Sequence, residues 1–186
     1  MKKFLQSKRG LGTPVANLIV ITAAVLLSLT VTTFAMNITA SQVQKENMYI
    51  SSSHVWYINS TDSVAAIVAT NTGPTDIVLT KIVIKGLQCT WDGEENFVIY
   101  CKNQTSPGDL PFVGNLTRGD STINVFGVDY AFTSASEGLT IKSGWTILFY
   151  IALPERIMVY DLGQPVRIAI HTTQAVYCSE TNTQTA

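Results

Sequence analysis

The chain falls into two parts that differ in the pattern of their hydrophobic residues. The run from Val15 to Met36 contains no charged side chain and is apolar on nearly every face of a helix. At about 1.5 Å per residue, a helix of this length would reach roughly 33 Å, enough to cross a bilayer. The following segment NITASQVQKENMYISSSHVW lacks proline and glycine. We therefore predict one long helix that begins at about Pro14, with Thr13 as its cap, and ends at about Ser52.

From about His54 onward, short alternating or β-branched runs are separated by turn residues. These runs are SVAAIVATN, DIVLTKIVIKGL, NFVIYC, STINVFGVDYAF, LTIKSGWTILFYIAL, IMVYDL and VRIAIHTTQAVYC. Seven or more short strands at this spacing predict an antiparallel β-sandwich over residues 54–186, in which the polar tail SETNTQTA is expected to fray. The predicted fold class is α+β, with one N-terminal hydrophobic helix followed by a β-sandwich head domain.

Charge is distributed unevenly along the 186 residues, although their formal net charge is only −1. No charged residue occurs from Gly10 to Gln44, whereas the residues before Gly10 carry basic side chains and no acidic one. The positive-inside rule places the amino terminus in the cytoplasm and exports everything after the apolar run. The near-neutral balance gives no reason to expect nucleic acid as a partner.

All three cysteines lie beyond the apolar run, in the part expected to be exported. Oxidising conditions there permit one disulfide bond. We predict a bridge between Cys89 and Cys101, because the short loop CTWDGEENFVIYC is easily closed between neighbouring strands. Cys178 is then unpaired. Other pairings, and three unpaired cysteines, stay open because sequence alone does not fix disulfide connectivity.

The sequence Asn-X-Ser/Thr, the acceptor for N-glycosylation on exported chains, occurs at four positions. Three of them, Asn59, Asn103 and Asn115, lie beside turn-like or polar stretches and are expected to be accessible. Asn37 lies on the predicted helix, where we expect lower accessibility.

Residue patterns that would indicate catalysis or metal binding are weak. His54 and His171 have no companion at metal-ligand spacing, and no nucleophile elbow of the Gly-X-Ser-X-Gly type occurs. The acidic cluster of WDGEEN lacks the spacing of an EF-hand loop. It is better explained as a solvated hairpin turn in which Gly93 adopts a positive φ. We therefore predict no enzymatic activity, no metal and no cofactor.

The stretch KRGLGTPVANLIVITAAVLL resembles the amino-terminal signal of archaeal type IV pilins and archaellins, the class III signal peptide. In that family a short basic leader ends in two charged residues and a glycine, and a membrane-embedded prepilin peptidase cuts after the glycine. Lys8, Arg9 and Gly10 occupy those places, so the resemblance implies a mature chain that begins at Leu11. TPV is similar to the Ser-Pro-Val of many archaeal pilins, and GLGT looks like the Gly-Ile-Gly-Thr of archaellins. A cut after Gly12 is the alternative.

The resemblance implies that the helix is used twice, first as a membrane anchor and then in the core of a helical filament made of copies of the chain. Residues 1–10 would be the leader, residues 11–53 the helix and residues 54–186 the outer domain. The prepilin peptidase and the pilus assembly machinery are the other implied partners. Small residues such as Ala16, Ser28 and Ala35 would let helices approach closely. The residues expected to pack in the core are Pro14, Val15, Ala16, Leu18, Ile19, Ile21, Ala23, Ala24, Leu26, Leu27, Leu29 and Phe34.

These expectations favour a subunit of an archaeal pilus-like extracellular filament used for adhesion to surfaces or other cells. An archaellin of a swimming filament is the nearest alternative. A single-pass anchored β-sandwich that works alone as a binding module is another, and conventional signal cleavage near Thr33 and Ala35 belongs to that class. An exported enzyme would require a clustered site that the sequence does not reveal.

Overall fold

The structure is a computed structural model that describes the backbone of residues 7–43, 45–154 and 157–186. Within the helix, side chains are described for residues 14–40. The chain divides into a helical unit and a head, and the boundary lies between Gln44 and Lys45. One apolar helix followed by a mostly antiparallel β-sheet head confirms the predicted α+β class.

The described residues form one α-helix, eleven strands and a short 3₁₀ helix. In chain order the elements are α1 (Ser7–Val43), β1 (Met48–Asn59), β2 (Asp62–Asn71), β3 (Ile77–Ile84), β4 (Leu87–Gln88), β5 (Val98–Asn103), β6 (Ser121–Val125), β7 (Val128–Ser134), β8 (Thr140–Ile141), β9 (Thr146–Ala152), the 3₁₀ helix (Val159–Asp161), β10 (Pro165–Thr172) and β11 (Val176–Thr185).

Both predicted ends of the helix require correction. The helix already begins at Ser7, so Pro14 lies inside it instead of in its first turn, and Thr13 is not its cap. The helix ends at Val43, and β1 begins at Met48, where continued helix was predicted. The reason is tertiary: β1 pairs with β2 along nearly its whole length, and strand pairing of a β-branched and aromatic segment outweighs a local helical pattern.

The head is built on one continuous sheet in the order β4-β3-β10-β11-β1-β2-β9-β5-β7-β6, with β8 pairing to β3. Neighbouring strands are antiparallel except β1 and β11, which are parallel. The C-terminal tail was expected to fray, but it forms most of β11. β11 is held on both sides, by β10 and by β1, so its backbone groups are paired despite its polar side chains.

The central strands β2 and β9 are buried on both faces. In β2, Ala65 and Ile67 face one hydrophobic cluster, whereas Ala66 and Val68 face another. The first cluster lies where β2 and β9 meet the apolar side chains of β3 and β10. The second is covered by residues of β6, β7 and the segment after β5, including Leu110. The predicted sandwich has one hydrophobic core, whereas the head has two. The second core exists because β6, β7 and the segment after β5 cover the other face of β2 and β9.

Two local predictions were wrong. The run IMVYDL is not a strand: it contains the 3₁₀ helix, and the Asp161 carboxylate accepts a hydrogen bond from the backbone N–H of Met158. In WDGEEN, the turn is present but Gly93 does not have a positive φ. Glycine is needed there because a Cβ would lie 2.6 Å from the carbonyl oxygen of Asn96.

Candidate functional site

The apolar helix is long enough to cross a membrane. Among the described residues, Pro14–Ala40 is the one stretch with the length and composition of a membrane span. Its 27 residues correspond to about 40 Å of helix, whereas a typical hydrocarbon core is about 30 Å thick. The apolar surface therefore continues beyond the length that a single perpendicular crossing requires.

Every side chain described in this helix is exposed within the chain's own fold. Leu18, in the N-terminal half of the span, is 67% exposed, and Phe34, in the C-terminal half, is 68% exposed. Apolar surface in water is unfavourable by roughly 25 cal/mol per Å², so the helix requires lipid or other apolar chains around it. The residues predicted to pack in a filament core all lie on this exposed surface: Pro14, Val15, Ala16, Leu18, Ile19, Ile21, Ala23, Ala24, Leu26, Leu27, Leu29 and Phe34.

The threonines between residues 14 and 40, where side chains are described, donate their hydroxyl groups to carbonyl oxygens of the same helix. Thr22 Oγ1 donates to the carbonyl oxygen of Leu18 at 2.7 Å, and Thr32 Oγ1 donates to that of Ser28 at 2.8 Å. Thr30, Thr33 and Thr39 do the same with carbonyls three or four residues earlier. An unsatisfied hydroxyl is costly in hydrocarbon, and these bonds remove that cost. These bonds were not predicted, although threonine within an uncharged helical run is the signal for them.

The predicted leader junction lies on helical backbone. Lys8, Arg9, Gly10 and Leu11 all belong to α1, and the rest of the leader, residues 1–6, lies outside the described residues. The helix continues without interruption from these residues into the apolar span. A peptidase acting here would therefore meet its target bond in a helical segment.

The four predicted glycosylation acceptors differ in their surroundings. Asn59 is exposed at the turn between β1 and β2, where its Oδ1 accepts hydrogen bonds from the backbone N–H and the hydroxyl of Thr61, both at 2.8 Å. Asn115 is exposed in the segment before β6. Asn103 is half-buried at the end of β5, and Asn37 is exposed on the helix, contrary to the expected lower accessibility.

Asn59 and Asn115 line the same open groove on the head. Asp62 and Glu95 also line it, with the apolar floor supplied by residues such as Phe97. A glycan on either asparagine would therefore extend over a surface that the two acceptor sites share. This proximity joins residues from two distant segments and was not predicted.

The predicted disulfide between Cys89 and Cys101 is absent from the structure. Cys89 packs in the hydrophobic cluster that contains Ile82, whereas Cys101 packs against the other cluster. The thiol of Cys101 donates to the carbonyl oxygen of Lys102, and burial raises its pKa. A short loop between the two cysteines is not sufficient, because the sheet separates their side chains. Cys178 is exposed on β11, where Nη2 of Arg167 lies 3.0 Å from its Sγ.

A polar cluster that the sequence analysis missed forms where β1 meets the segment after β5. Asp109 Oδ1 accepts hydrogen bonds from Ser52 Oγ at 2.5 Å and from the backbone N–H of Leu110 at 2.8 Å, and it lies 2.6 Å from His54 Nε2. The His54 ring stacks on Trp56 at 5.1 Å. Partial burial acts to raise the pKa of Asp109, but the hydrogen bonds from Ser52 and His54 outweigh it and lower that pKa below its ordinary value.

This cluster does not have the geometry of a nucleophilic triad. Ser52 and Asp109 both approach Nε2 of His54, whereas a triad places the serine and the acid on opposite ring nitrogens. The other ring nitrogen, Nδ1, is buried without a hydrogen-bond partner. Within the described residues, no three histidine, cysteine, aspartate or glutamate side chains are grouped so that they could hold a metal ion. The arrangement is suited to fastening the segment after β5 to β1.

Comparison with known proteins adds no relative. No protein-family model matches the chain, and no curated protein matches it significantly.

Proposed function

We propose that the chain is a structural subunit of an archaeal type IV pilus-like extracellular filament, which polymerises through its N-terminal helix and serves adhesion to surfaces or cell-cell contact. The observation that carries the proposal is the helix: it is uncharged from Gly10 to Val43, and the side chains described in it are exposed all round. The basic residues and the glycine that precede the apolar run support the same proposal, because they resemble class III signals.

Burial of such a helix needs apolar neighbours on every side, not on one face. A membrane supplies them before assembly, and a bundle of copies supplies them afterwards. Contacts of head-to-tail type that do not close into a ring extend into a filament. The internal hydrogen bonds of Thr22 and Thr32 suit both environments, because neither hydroxyl needs an external partner.

The head supports an outer, glycosylated position in such a filament. Its buried apolar residues lie almost entirely in two hydrophobic clusters formed by the strands and loops of the head. Asn59 and Asn115 are exposed acceptor positions on this domain. An outer domain of this kind would be the part of the subunit that meets surfaces or other cells.

An archaellin would use the same helix and the same leader. Deletion of the coding sequence separates the two functions: loss of adhesion with swimming retained supports the pilus subunit, and loss of swimming supports the archaellin. A single-pass anchored binding module is the other alternative. The membrane-length span is the one observation that favours it, and such a module would form no filament.

Mass spectrometry of the native protein from filaments sheared off the cells tests the proposal. We expect the protein to be a major constituent with Leu11 as its first residue. A first residue of Met1 or Asn37, or absence of the protein from every filament, would overturn it. A Gly10→Val variant provides the matched control, since it should keep its leader and stay in the membrane fraction.

A further inference from the structure

The carbonyl group of Gly10 lacks the hydrogen-bond donor that the other interior carbonyl groups of the described helix have. In an α-helix each carbonyl accepts a hydrogen bond from the N–H four residues later, and the residue four after Gly10 is Pro14, which has no N–H. Pro14 is the one proline between Ser7 and Val43. A proline ring also crowds the carbonyl four residues before it and bends the helix there. The Gly10 carbonyl is therefore left without the N–H donor that an α-helix supplies at this spacing.

The alternative junction after Gly12 differs in this respect. The carbonyl of Gly12 faces the N–H of Ala16, which the same helix supplies. Gly10, Gly12 and Pro14 also make GLGTP the stretch of the helix with the poorest helix formers. The backbone around Gly10 is thus the part of the helix that opens with the least loss of hydrogen bonding.

We infer that Pro14 is a positioning residue for leader removal, because it keeps the Gly10 carbonyl free for attack and directs the cut after Gly10 instead of after Gly12. The inference rests on the proposed function, since it assumes that a prepilin peptidase acts on the chain. It assigns Pro14 a role in the precursor that is separate from packing in a filament.

The reaction is hydrolysis of the peptide bond between Gly10 and Leu11. Water adds to the carbonyl carbon of Gly10, the C–N bond breaks, and a proton from the water goes to the nitrogen of Leu11. The second proton of the water then passes to the same nitrogen, so the products are a carboxylate on Gly10 and a protonated amine on Leu11. The carbonyl oxygen gains negative charge in the transition state and must accept hydrogen bonds from the peptidase, so a carbonyl already bonded within a helix must first be released.

The experiment compares leader removal from full-length chains in cell membranes that contain the prepilin peptidase. Pro14→Ala restores the missing N–H, and we expect the cut after Gly10 to slow by about three- to ten-fold, the effect of one additional backbone hydrogen bond. Asn17→Ala is the matched control: it alters a side chain near Pro14, leaves every backbone donor in place, and should be processed at the wild-type rate.

A second variant moves the free carbonyl. Pro14→Ala combined with Ala16→Pro removes the donor that faces Gly12 and restores the donor that faces Gly10. We expect the main product to begin at Thr13 instead of Leu11, as read by mass spectrometry of the new amino terminus. Wild-type rate and position of cleavage in both proline variants would overturn the inference and leave the proposed function intact. Failure of the wild-type chain to begin at Leu11 would instead overturn the proposed function.

Discussion

His54 Nε2 lies 2.6 Å from Oδ1 of Asp109, and this contact joins β1 to the segment that follows β5. The two residues are 55 positions apart in the chain, so the contact exists only in the folded head. Ser52 donates to the same carboxylate oxygen. The segment after β5 carries Leu110 into the second hydrophobic cluster, so the polar contact and the apolar contact hold the same stretch of chain.

The Asp109 contact predicts a dependence of stability on acid. Since folding lowers the pKa of Asp109, its carboxylate stabilises the fold above the ordinary aspartate pKa of about 3.9, and this contribution is lost as the pH falls through the lowered pKa. Asp109→Asn should reduce the free energy of unfolding at neutral pH, and its difference from wild type should disappear once the pH lies below the lowered pKa of Asp109. Urea unfolding of the full chain in detergent, followed at several pH values, measures this.

Asp120→Asn is the control for that experiment, because Asp120 is also an exposed aspartate of the head. It should unfold like wild type at every pH. An Asp109→Asn variant whose deficit persists unchanged in acid would show that the carboxylate charge is not what stabilises this contact.

Gly73 is predicted to be sensitive to the smallest side chain. A Cβ at this position would lie 2.5 Å from the backbone nitrogen of Asn47, and the N–H of Gly73 itself donates to the carbonyl oxygen of Asn47. The backbone segments that contain Gly73 and Asn47 cannot move apart without breaking this hydrogen bond. Gly73→Ala should lower the free energy of unfolding by about 1–3 kcal/mol, as overpacking does in other proteins.

Gly114→Ala is the matched control for Gly73→Ala. A Cβ at Gly114 would meet only the ring of Phe112, at 3.4 Å, which a side chain can accommodate. Denaturant midpoints of the two variants should therefore differ clearly, and equal midpoints would contradict the close approach of Gly73 to Asn47.

The sequence correctly predicted those parts of the fold in which the residue pattern is compatible with only one type of secondary structure. The uncharged run after Pro14 has no polar face, so a helix of membrane length follows from composition alone. The consecutive apolar residues VAAIVA in β2 and ILFYIA in β9 fit strands, and in the structure both faces of these strands are buried. Glycine turns such as Gly127, between β6 and β7, mark hairpins in the sequence itself.

The parts that failed depend on partners distant in the sequence. Residues 48–53 fit a helix or a strand locally, and only pairing with β2 makes them strand. The polar residues of β11 carry no hydrophobic signal, but Thr183 is 2% exposed because it pairs with Val55 of β1 on one side and with Leu162 on the other. The predicted bridge between Cys89 and Cys101 is absent because the length of the loop does not determine the face of the sheet on which each cysteine side chain lies.

The same distinction applies to the candidate site. The apolar residues of the helix and the asparagine acceptors were found because each is defined by a short continuous pattern. The contact between His54 and Asp109, and the groove shared by Asn59 and Asn115, each combine segments that meet only after folding. No local pattern contains them.

Core packing predicts a large difference between two phenylalanines. Phe149 lies in β9 and is fully buried, whereas Phe126, at the turn between β6 and β7, is 67% exposed. Phe149→Ala should lower the free energy of unfolding by about 3–5 kcal/mol, because it leaves a cavity between packed strands. Phe126→Ala removes the same atoms from an exposed position and should change the free energy by less than about 0.5 kcal/mol. Urea unfolding of both variants tests this, and similar losses would contradict the assignment of Phe149 to the core.

Glycan occupancy is predicted to follow exposure. Asn59→Gln and Asn115→Gln should each lower the intact mass of the native protein by one glycan, since both asparagines are exposed. Asn103→Gln should change the mass least, because Asn103 is half-buried. Mass spectrometry of the protein from its native host measures all three. A glycan on Asn103 alone would contradict the prediction.

The helix is predicted to tolerate a loss of volume at its centre but not a charge. Leu26 is 58% exposed in the middle of the apolar span. A lysine at the centre of a membrane helix costs about 2.5–3.5 kcal/mol, and none of the residues from Gly10 to Gln44 carries a charge that could pair with it. Leu26→Lys should therefore reduce the membrane-bound pool and remove the protein from filaments, as measured by alkaline extraction of membranes and by quantifying the protein in sheared material. Leu26→Ala keeps the position apolar and should remain in both fractions. If Leu26→Lys entered filaments at the wild-type level, the helix would not lie in an apolar environment there, and its place in a filament core would be wrong.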